Sequence, residues 1–232
     1  MKTFVIGDIH GAHRALKQCL ERCGFDRQHD QLIVLGDVCD GWPQVHKCVE
    51  ELLQIKDLIY IIGNHDLWTL GWAVKGILNK DWLEQGGRNT IASYGGGLMP
   101  EAHIKFLQNA RWWYLDSKNR LFVHGGIDPG KPLDQQDEEL LVWDRELIEA
   151  AYKKNFAVPA FHFGGYKEIF VGHTTTETFR QTVPLHWCNV WMLDTGGGWS
   201  GPLTIMDIES KEYWQSDPSP ALYPGVEERK RH

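Results

Sequence analysis

The chain has 232 residues, the length of a single compact domain with a sizeable core. Its 42% hydrophobic and 24% charged content exclude a disordered or fibrous protein, because disordered chains lack the apolar surface that offsets backbone ordering. The formal net charge of -7 argues against a protein that holds nucleic acid mainly by neutralising phosphates, so we expect no stable nucleic-acid complex.

The cysteines and the first apolar run indicate the cellular compartment. The five cysteines are odd in number and show no zinc-site spacing, which predicts free thiols in a reducing compartment, the cytoplasm. The run from Phe4 to Ile6 is interrupted at Asp8, too soon for a signal peptide or a membrane span. We therefore expect no membrane association.

The first third of the chain repeats one pattern, in which a short β-branched run ends in glycine and polar residues and an amphipathic helical pattern follows. The predicted strands are Thr3–Ile6, Gln31–Leu35 and Leu58–Ile62. Apolar helical faces lie between them, at Leu16, Cys19, Leu20 and Cys23 and at Val45, Cys48, Val49, Leu52 and Leu53. This is a βαβαβ unit, whose ligand sites form beyond the carboxyl ends of its parallel strands.

The rest of the chain predicts helices and then a second sheet. Residues 64–119 are rich in tryptophan and glycine and are predicted to be mainly helical, as an elaboration after the third strand. Four later runs predict the second sheet: Arg120–Val123, Glu168–Val171, Val190–Leu193 and Leu203–Ile208. We expect one domain over residues 1–216 and a surface tail over 217–232, whose basic run is solvated charge.

Polar residues of metal-binding type follow five of the predicted strands. Asp8 and His10 alternate after the first strand and so point to the same side. Asp37 follows the second strand and Asn64 the third, at intervals of 29 and 27 residues that each fit one strand–helix–strand unit. The later runs end in His124 and in Gly172-His173, each beside glycine. Packing alone does not explain this repetition, which predicts a metal site.

The five motifs resemble, in order, those of the calcineurin-like metallophosphoesterases. They are Gly-Asp-x-His-Gly, Gly-Asp-x-x-Asp, Gly-Asn-His-Asp, His-Gly-Gly and Gly-His-Thr, and they span residues 7–174. The resemblance is strongest to the branch of serine/threonine protein phosphatases and symmetrical diadenosine tetraphosphatases, and residues 194–198 resemble its later region. It implies an α/β fold with a two-sheet β-sandwich core flanked by helices, a helical insertion after the third strand, and phosphoester hydrolysis.

The resemblance also implies two divalent transition metal ions and two groups of ligands that share one carboxylate: Asp8, His10 and Asp37 for one ion, and Asp37, Asn64, His124 and His173 for the other. Mixed oxygen and imidazole ligands suit Mn first, with Fe or Zn as alternatives. His65 matches the family's proton donor to the leaving oxygen, and Asp40 matches the carboxylate that orients it.

One position departs from the branch's pattern. Protein phosphatases of this type have Asp-Arg-Gly where this chain has Asp40-Gly41-Trp42, so an arginine that grips phosphate is absent. Arg145, in a Trp-Asp-Arg segment, is our preferred replacement, and Arg88 is the second candidate. We also expect Asn64 to contact substrate. The candidates to line an aromatic groove beside the metals are Trp42, Trp68, Trp72 and Trp82, and we favour Trp42 because it directly follows the motif.

Three functions remain open at this stage. The first is a phosphomonoesterase of the serine/threonine protein phosphatase type, acting on phosphorylated proteins, peptides or small molecules. The second is a symmetrical diadenosine tetraphosphate hydrolase, favoured by the same ligand set and the expected aromatic groove. The third is a catalytically silent scaffold, which the presence of His65 and Asp40 argues against.

Overall fold

The computed structural model describes residues 1–158 and 160–226 of the chain. Within these residues the strands are β1 (Thr3–Ile6), β2 (Gln31–Val34), β3 (Asp57–Tyr60), β4 (Trp113–Leu115), β5 (Arg120–Val123), β6 (Glu168–Val171), β7 (Leu185–Trp187), β8 (Val190–Met192), β9 (Thr204–Asp207) and β10 (Tyr213–Gln215). The α-helices are α1 (His13–Arg22), α2 (Val45–Leu52), α3 (Asn64–Lys75), α4 (Lys80–Trp82), α5 (Arg88–Ser93), α6 (Glu101–Gln108), α7 (Glu138–Trp143), α8 (Glu146–Ala157) and α9 (Ser219–Leu222). None of the helices in these ranges has the length and apolar composition needed to cross a membrane.

The described strands form two five-stranded sheets with a similar plan. In the first sheet β1, β2 and β3 are parallel, and β9 and β10 extend it in antiparallel fashion from β1. In the second sheet β5, β6 and β8 are parallel, and antiparallel β4 and β7 form the edges. Each sheet therefore gathers the carboxyl ends of several strands along one edge, where α/β proteins bind ligands.

Alternation along the strands divides their side chains between two layers. In β1, Val5 faces the second sheet, whereas Phe4 and Ile6 pack in the cluster that contains α1 and α2. Phe122 of β5 and Phe170 of β6 stack in the layer between the sheets, with ring centroids 4.9 Å apart. Helices α7 and α8 cover the outer face of the second sheet. The fold is thus the predicted sandwich of two sheets flanked by helices.

The structure confirms the predicted βαβαβ unit and corrects one later strand. β1 has the predicted bounds, and β2 and β3 differ from the prediction by one or two residues at their ends. The predicted strand over residues 203–208 is present as β9, but it pairs with β1, so its placement in the second sheet is wrong. The strands β4, β7 and β10 escape the sequence pattern, because three residues at a sheet edge are too few to show alternation.

Residues 217–226 are not a surface tail. Proline at the first turn begins α9, and Ser219 is fully buried, with its Oγ donating to the Gly197 carbonyl at 2.7 Å. Tyr223 is also buried, and its ring stacks on Trp42 with centroids 5.0 Å apart. The predicted boundary at residue 217 is therefore wrong for this segment. Residues 227–232 of the predicted tail lie outside the described residues.

Candidate metal centre

Five loops at the carboxyl ends of parallel strands meet at one site. The loops after β1, β2 and β3 carry Asp8, Asp37 and Asn64, and those after β5 and β6 carry His124 and His173. All but His173 have at most 2% of their surface exposed, as does His10. The structure thus brings together every residue that the sequence predicts as a metal ligand. Buried polar groups of this kind must be paired with each other or with a cation.

Three of these residues have an unusual backbone conformation. The angle φ is 47° at His10, 50° at Asp37 and 57° at His173, in the left-handed region that residues other than glycine rarely adopt. Such a conformation costs on the order of 1 to 3 kcal/mol and persists where surrounding contacts enforce it. Its repetition at one site indicates that these side chains are held in place against local backbone preference.

Asp37 lies at the centre of the site. Its Oδ2 is 3.6 Å from Nε2 of His10 and 3.4 Å from Nε2 of His124. It belongs to two groups whose ligand atoms all lie within 4.8 Å of one another, one with His10 and His65 and one with His124 and His173. The structure therefore places Asp37 between two potential ion positions, as a shared carboxylate requires.

The imidazoles are oriented for ligation. Nδ1 of His10 donates to the Cys39 carbonyl at 2.9 Å, and Nδ1 of His124 donates to the Leu35 carbonyl at 2.6 Å. Because a carbonyl only accepts, Nδ1 carries a proton in both rings and Nε2 faces the centre, an arrangement common among metal-bound histidines. Burial alone would lower the pKa of His124, but Asp37 and Asp8 outweigh it and raise that pKa to about 10, so a bound ion would displace the Nε2 proton. Among the described residues, the buried Nε2 of His173 has no hydrogen-bond partner. A bound cation would satisfy this atom.

The charges of the site also favour cations. Burial raises the pKa of Asp8 well above its usual range, and the nearby carboxylates of Asp194 and Asp37 raise it further. Burial also acts to raise the pKa of Asp37, but the surrounding His124, His65 and His10 outweigh it and bring that pKa well below its usual range. Positive ions would relieve the repulsion among these buried acids. The donor set therefore fits divalent metal ions.

At the more exposed side of the site, His173 differs from His124 in favouring the neutral imidazole. Burial lowers the pKa of His173 well below its usual range, and the charges of His124 and Arg145 add to this shift. A histidine must be neutral to ligate a metal, so the shift favours ligation. Arg145 lines the same cleft as His173.

Asp66 is a residue of the site for which the sequence analysis assigned no role. Its Oδ2 accepts from the backbone N–H groups of Asp37 at 2.9 Å and Gly63 at 3.0 Å and from the Tyr60 hydroxyl at 2.6 Å, while Oδ1 accepts from the N–H of Cys39 at 3.2 Å. Asp66 thus ties the loop after β2 to the loop after β3. The signal that could have identified it is its place in the Gly-Asn-His-Asp motif, at the third position of a helix.

His65 and Asp40 form a buried pair beside Asp37. Nδ1 of His65 lies 2.7 Å from Oδ2 of Asp40, which is fully buried, and His65 reaches the cleft that leads to the metal ligands. The backbone N–H of His65 donates to Oδ1 of Asp37 at 3.0 Å. The pair therefore has the position that the resemblance implies for a proton donor and its orienting carboxylate.

A cleft of about 280 Å³ opens beside the metal ligands. Its walls include the predicted residues Asn64 and Arg145 and the aromatic side chains of Trp143, Phe179 and Trp199. Within the described part of the chain, Arg145 is the sole lysine or arginine that lines it. The cleft thus offers one cation, several aromatic surfaces and the centre with its acids and histidines.

Two predicted substrate residues lie elsewhere. Trp42 is 2% exposed and packs in the core, where its indole donates to the Gly197 carbonyl at 2.9 Å, so its predicted place in an aromatic groove is wrong. Arg88 is exposed at the start of α5 and is absent from the cleft lining among the described residues. The aromatic walls of the cleft instead come from loops whose tryptophans the sequence does not distinguish from core residues.

Gly41 explains why the expected arginine is absent. Its φ is +76°, and a Cβ atom there would lie 2.9 Å from both the Cβ and the carbonyl oxygen of His10. Gly86 also presses on it, since a Cβ on Gly86 would lie 2.2 Å from the Gly41 nitrogen. An arginine at position 41 would therefore require the surrounding loops to move.

Comparison with known proteins identifies relatives of the whole chain. The family model described as calcineurin-like phosphoesterase matches residues 1–191. A symmetrical bis(5'-nucleosyl)-tetraphosphatase of Pseudomonas fluorescens is 23% identical, over 97% of this chain and 99% of the relative. Serine/threonine-protein phosphatase 1 of Salmonella typhimurium is 28% identical, over 89% of this chain and 92% of the relative.

A solved structure shares the fold. The crystal structure of a provisionally assigned diadenosine tetraphosphatase superimposes with a TM-score of 0.70 and 18% sequence identity, over 92% of each chain. Identity at this level supports a shared fold and carries no substrate information.

Proposed function

Because the chain belongs to the calcineurin-like phosphoesterase family and is a metal-dependent phosphoesterase, we propose that it is a phosphatase of the serine/threonine protein phosphatase type, which hydrolyses phosphomonoesters. The observation that carries this proposal is the position of Asp37: its Oδ2 lies 3.6 Å from Nε2 of His10 and 3.4 Å from Nε2 of His124, while its Oδ1 accepts from the backbone N–H of His65, which pairs with Asp40. The substrates would be phosphorylated proteins, peptides or small molecules.

The proposed ligands for two divalent ions, with Mn as the first choice and Fe or Zn as alternatives, are Asp8 and His10 for one, Asn64, His124 and His173 for the other, and Asp37 for both. When bound, such ions acidify water and neutralise phosphate oxygens. The oriented imidazoles, the orphan Nε2 of His173 and the clustered carboxylates support this assignment.

The remaining roles belong to side chains that line the cleft. Arg145 and Asn64 would hold the phosphate oxygens, because a guanidinium grips them through a planar fork and a carboxamide donates through its nitrogen. His65 would donate a proton to the leaving oxygen through Nε2 while Asp40 holds the opposite nitrogen. Cleavage of an alkyl ester depends on this proton, since an alkoxide leaves poorly without it.

Two observations favour a phosphomonoester over a longer polyphosphate. With a single cationic side chain among the described lining residues, the cleft suits one phosphate group better than a chain of four. The alignment with the Pseudomonas tetraphosphatase runs over 297 positions, so at least 65 of them have no counterpart in these 232 residues. The alignment with the Salmonella phosphatase runs over 214 positions and needs no such additional length.

Symmetrical hydrolysis of diadenosine tetraphosphate is the second candidate. It is supported by the names of several relatives and by Trp143 and Trp199 in the cleft walls, where a nucleobase would stack. A silent scaffold is the weakest alternative, because a protein that only binds has no use for a buried His65–Asp40 pair at the mouth of the ligand cluster.

We also propose that the protein is located in the cytoplasm, since all five cysteines are free thiols.

The deciding experiment is product analysis with purified protein loaded in turn with Mn, Fe and Zn. Substrates would be phosphoserine and phosphothreonine peptides, p-nitrophenyl phosphate and diadenosine tetraphosphate. Release of inorganic phosphate from the monoesters, with little cleavage of the tetraphosphate, supports the proposal. Cleavage of the tetraphosphate into two nucleoside diphosphates with negligible monoesterase activity contradicts it, and binding of a protein without any hydrolysis favours the scaffold.

A further inference from the structure

The segment from Trp82 to Thr90 forms a brace around Asp40. The indole Nε1 of Trp82 lies 2.8 Å from each carboxylate oxygen of Asp40, and the Thr90 hydroxyl donates to Oδ1 at 2.6 Å. The backbone N–H of Asp40 in turn donates to the Thr90 Oγ1 at 2.9 Å. Trp82, Thr90 and Asp40 have no exposed surface. Asp40 is thus held from two directions before it meets His65.

Two glycines allow the brace to approach this closely. A Cβ atom on Gly87 would lie 2.5 Å from the Trp82 ring, and one on Gly86 would lie 2.2 Å from the Gly41 nitrogen. Asn89 adds a hydrogen bond from Nδ2 to the Gly41 carbonyl at 2.5 Å. Segment 82–90 therefore packs directly against residues 40 and 41, with no intervening side chain.

The two carboxylate oxygens of Asp40 have different partners. Oδ1 accepts from the Thr90 hydroxyl, Oδ2 faces Nδ1 of His65 at 2.7 Å, and the indole N–H of Trp82 is shared between both oxygens. A buried carboxylate with too few donors would rotate to find others, so Trp82 and Thr90, with a longer hydrogen bond of 3.5 Å from the Thr69 hydroxyl to Oδ1, fix the plane in which Oδ2 meets the imidazole. Core packing alone would explain a buried indole, but not one whose N–H is directed at the carboxylate that orients His65.

We propose that Trp82 and Thr90 are positioning residues for protonation of the leaving group. They hold Asp40 so that Nδ1–H of His65 stays bonded to Oδ2 and Nε2 stays directed at the cleft. This inference rests on the proposed function, in which His65 protonates the leaving oxygen. Neither residue contacts the cleft in the described part of the chain, so both would act through Asp40.

A series of leaving groups tests the inference, because a weakly basic leaving group departs without a proton and an alkoxide does not. The variants are Trp82→Phe and Thr90→Val, which keep shape and lose the donor. On phosphoserine peptide and phenyl phosphate we expect kcat to fall about 10- to 100-fold, as for other residues that support a functional histidine. On 2,4-dinitrophenyl phosphate we expect little change, with KM and metal content preserved throughout.

The matched control is Trp72→Phe. Trp72 is a partly buried tryptophan beside Trp82, with ring centroids 5.9 Å apart, and it makes no hydrogen bond to Asp40 within the described residues. We expect this variant to hydrolyse all three substrates at wild-type rates. Equal losses across the leaving groups in Trp82→Phe, or the same selective loss in Trp72→Phe, would mean that the brace is merely structural.

Proton NMR provides a measurement that does not depend on activity. A histidine Nδ1–H bonded to a buried carboxylate resonates far downfield, and its loss in His65→Gln assigns it. We expect the signal to persist in Trp72→Phe and to shift or broaden in Trp82→Phe and Thr90→Val, even if no phosphomonoester proves to be a substrate. An unchanged signal in both brace variants overturns the inference. A wild-type protein that shows the signal and hydrolyses no monoester overturns the proposed function instead.

Discussion

The two sheets contribute to the site in different ways. The loops of the first sheet carry carboxylates, a carboxamide and the His65–Asp40 pair, and they bind each other tightly. Backbone N–H groups of the first loop donate to the second, from His10 to the Asp37 carbonyl at 2.8 Å and from Gly11 to the Val38 carbonyl at 2.9 Å. The second sheet contributes two histidines, and the segment between its central strands contributes Arg145 at the open cleft.

This difference suggests a division of labour. The first sheet's side is buried, internally bonded and suited to groups whose positions must not vary during the reaction. The second side is more open: His173 is only partly buried and Arg145 is exposed, which suits substrate entry and release. Asp37 and Asn64 reach across to His124, so the second ion position depends on both sides. Substitutions on the two sides should therefore have different effects on metal content, kcat and KM.

Asp37→Asn tests the point at which the two sides meet and should have the largest effect. It removes one charge and one oxygen from the residue shared by both ligand groups. We expect turnover to fall by more than about 10³-fold, with loss of both ions. Metal content by mass spectrometry measured beside kcat checks this, with Asp57→Asn at the start of β3 as the control. Full metal content with full activity would show that Asp37 is not a ligand shared by the two ions.

His65→Ala tests the chemistry of the first side alone. Because His65 is proposed to donate a proton and not to bind metal, both ions should remain while turnover of alkyl phosphates falls by about 10³-fold. Metal analysis and steady-state kinetics on the same sample check both statements. Loss of one ion would instead make His65 a ligand, which its position near His10 and Asp37 also permits.

His173→Ala tests the second side. The orphan Nε2 of His173 should be a ligand to one ion, so we expect that ion to be lost, the other to stay, and turnover to fall by about 100-fold. Titration with Mn followed by calorimetry counts the remaining sites. His186→Ala, at an exposed histidine of the same sheet, serves as the control. Retention of both ions with normal affinity would contradict this division between the two sides.

Arg145→Lys tests whether the second side holds the substrate. Lysine keeps the charge and loses the planar fork, so KM for phosphopeptide should rise about tenfold with a smaller change in kcat. Arg88→Ala should leave both constants unchanged, because Arg88 lies outside the cleft lining. If the Arg88 variant instead raised KM, Arg88 at the start of α5 would be the residue that binds phosphate in place of the arginine absent at position 41.

Trp42→Phe should have the smallest effect and should leave catalysis unchanged. It removes the hydrogen bond from the indole to the Gly197 carbonyl but keeps most of the apolar surface packed on Tyr223. We expect the free energy of unfolding to fall by about 1 kcal/mol. Urea denaturation and kcat/KM check the two statements. A selective rise in KM would indicate that Trp42 contacts the substrate after all.

The sequence predicts the first half of the fold well because each strand end there is marked by glycine and by residues with recognisable chemistry. Asp8, Asp37 and Asn64 needed no tertiary information to be grouped. The partner of β9 could not be predicted, because a short buried run predicts a strand but not which strand lies beside it. Three-residue strands such as β4 carry even less information.

Side-chain environments were harder to predict than ligand identity. Trp42 follows a functional motif but points into the core, whereas Trp82 lies in a helical stretch without a motif and bonds to Asp40. Tryptophan is compatible with a core, a groove wall or a hydrogen-bonded brace, and tertiary contacts alone distinguish these. Asp66 escaped notice because its four partners are mainly backbone N–H groups, which leave no trace in residue type.

The segment 217–223 has a consequence for the order of folding. The Tyr223 hydroxyl donates to Oε1 of Gln44 at 2.9 Å and accepts from the N–H of Arg14 at 2.9 Å, contacts between residues 179 and 209 positions apart. During synthesis the loop that carries Asp37 and Trp42 therefore emerges long before the residues that complete its packing. Closure of so long a loop is slow compared with local helix formation. The ligands of the first sheet should thus be synthesised well before Tyr223 and reach their final positions only after it has packed against their loops.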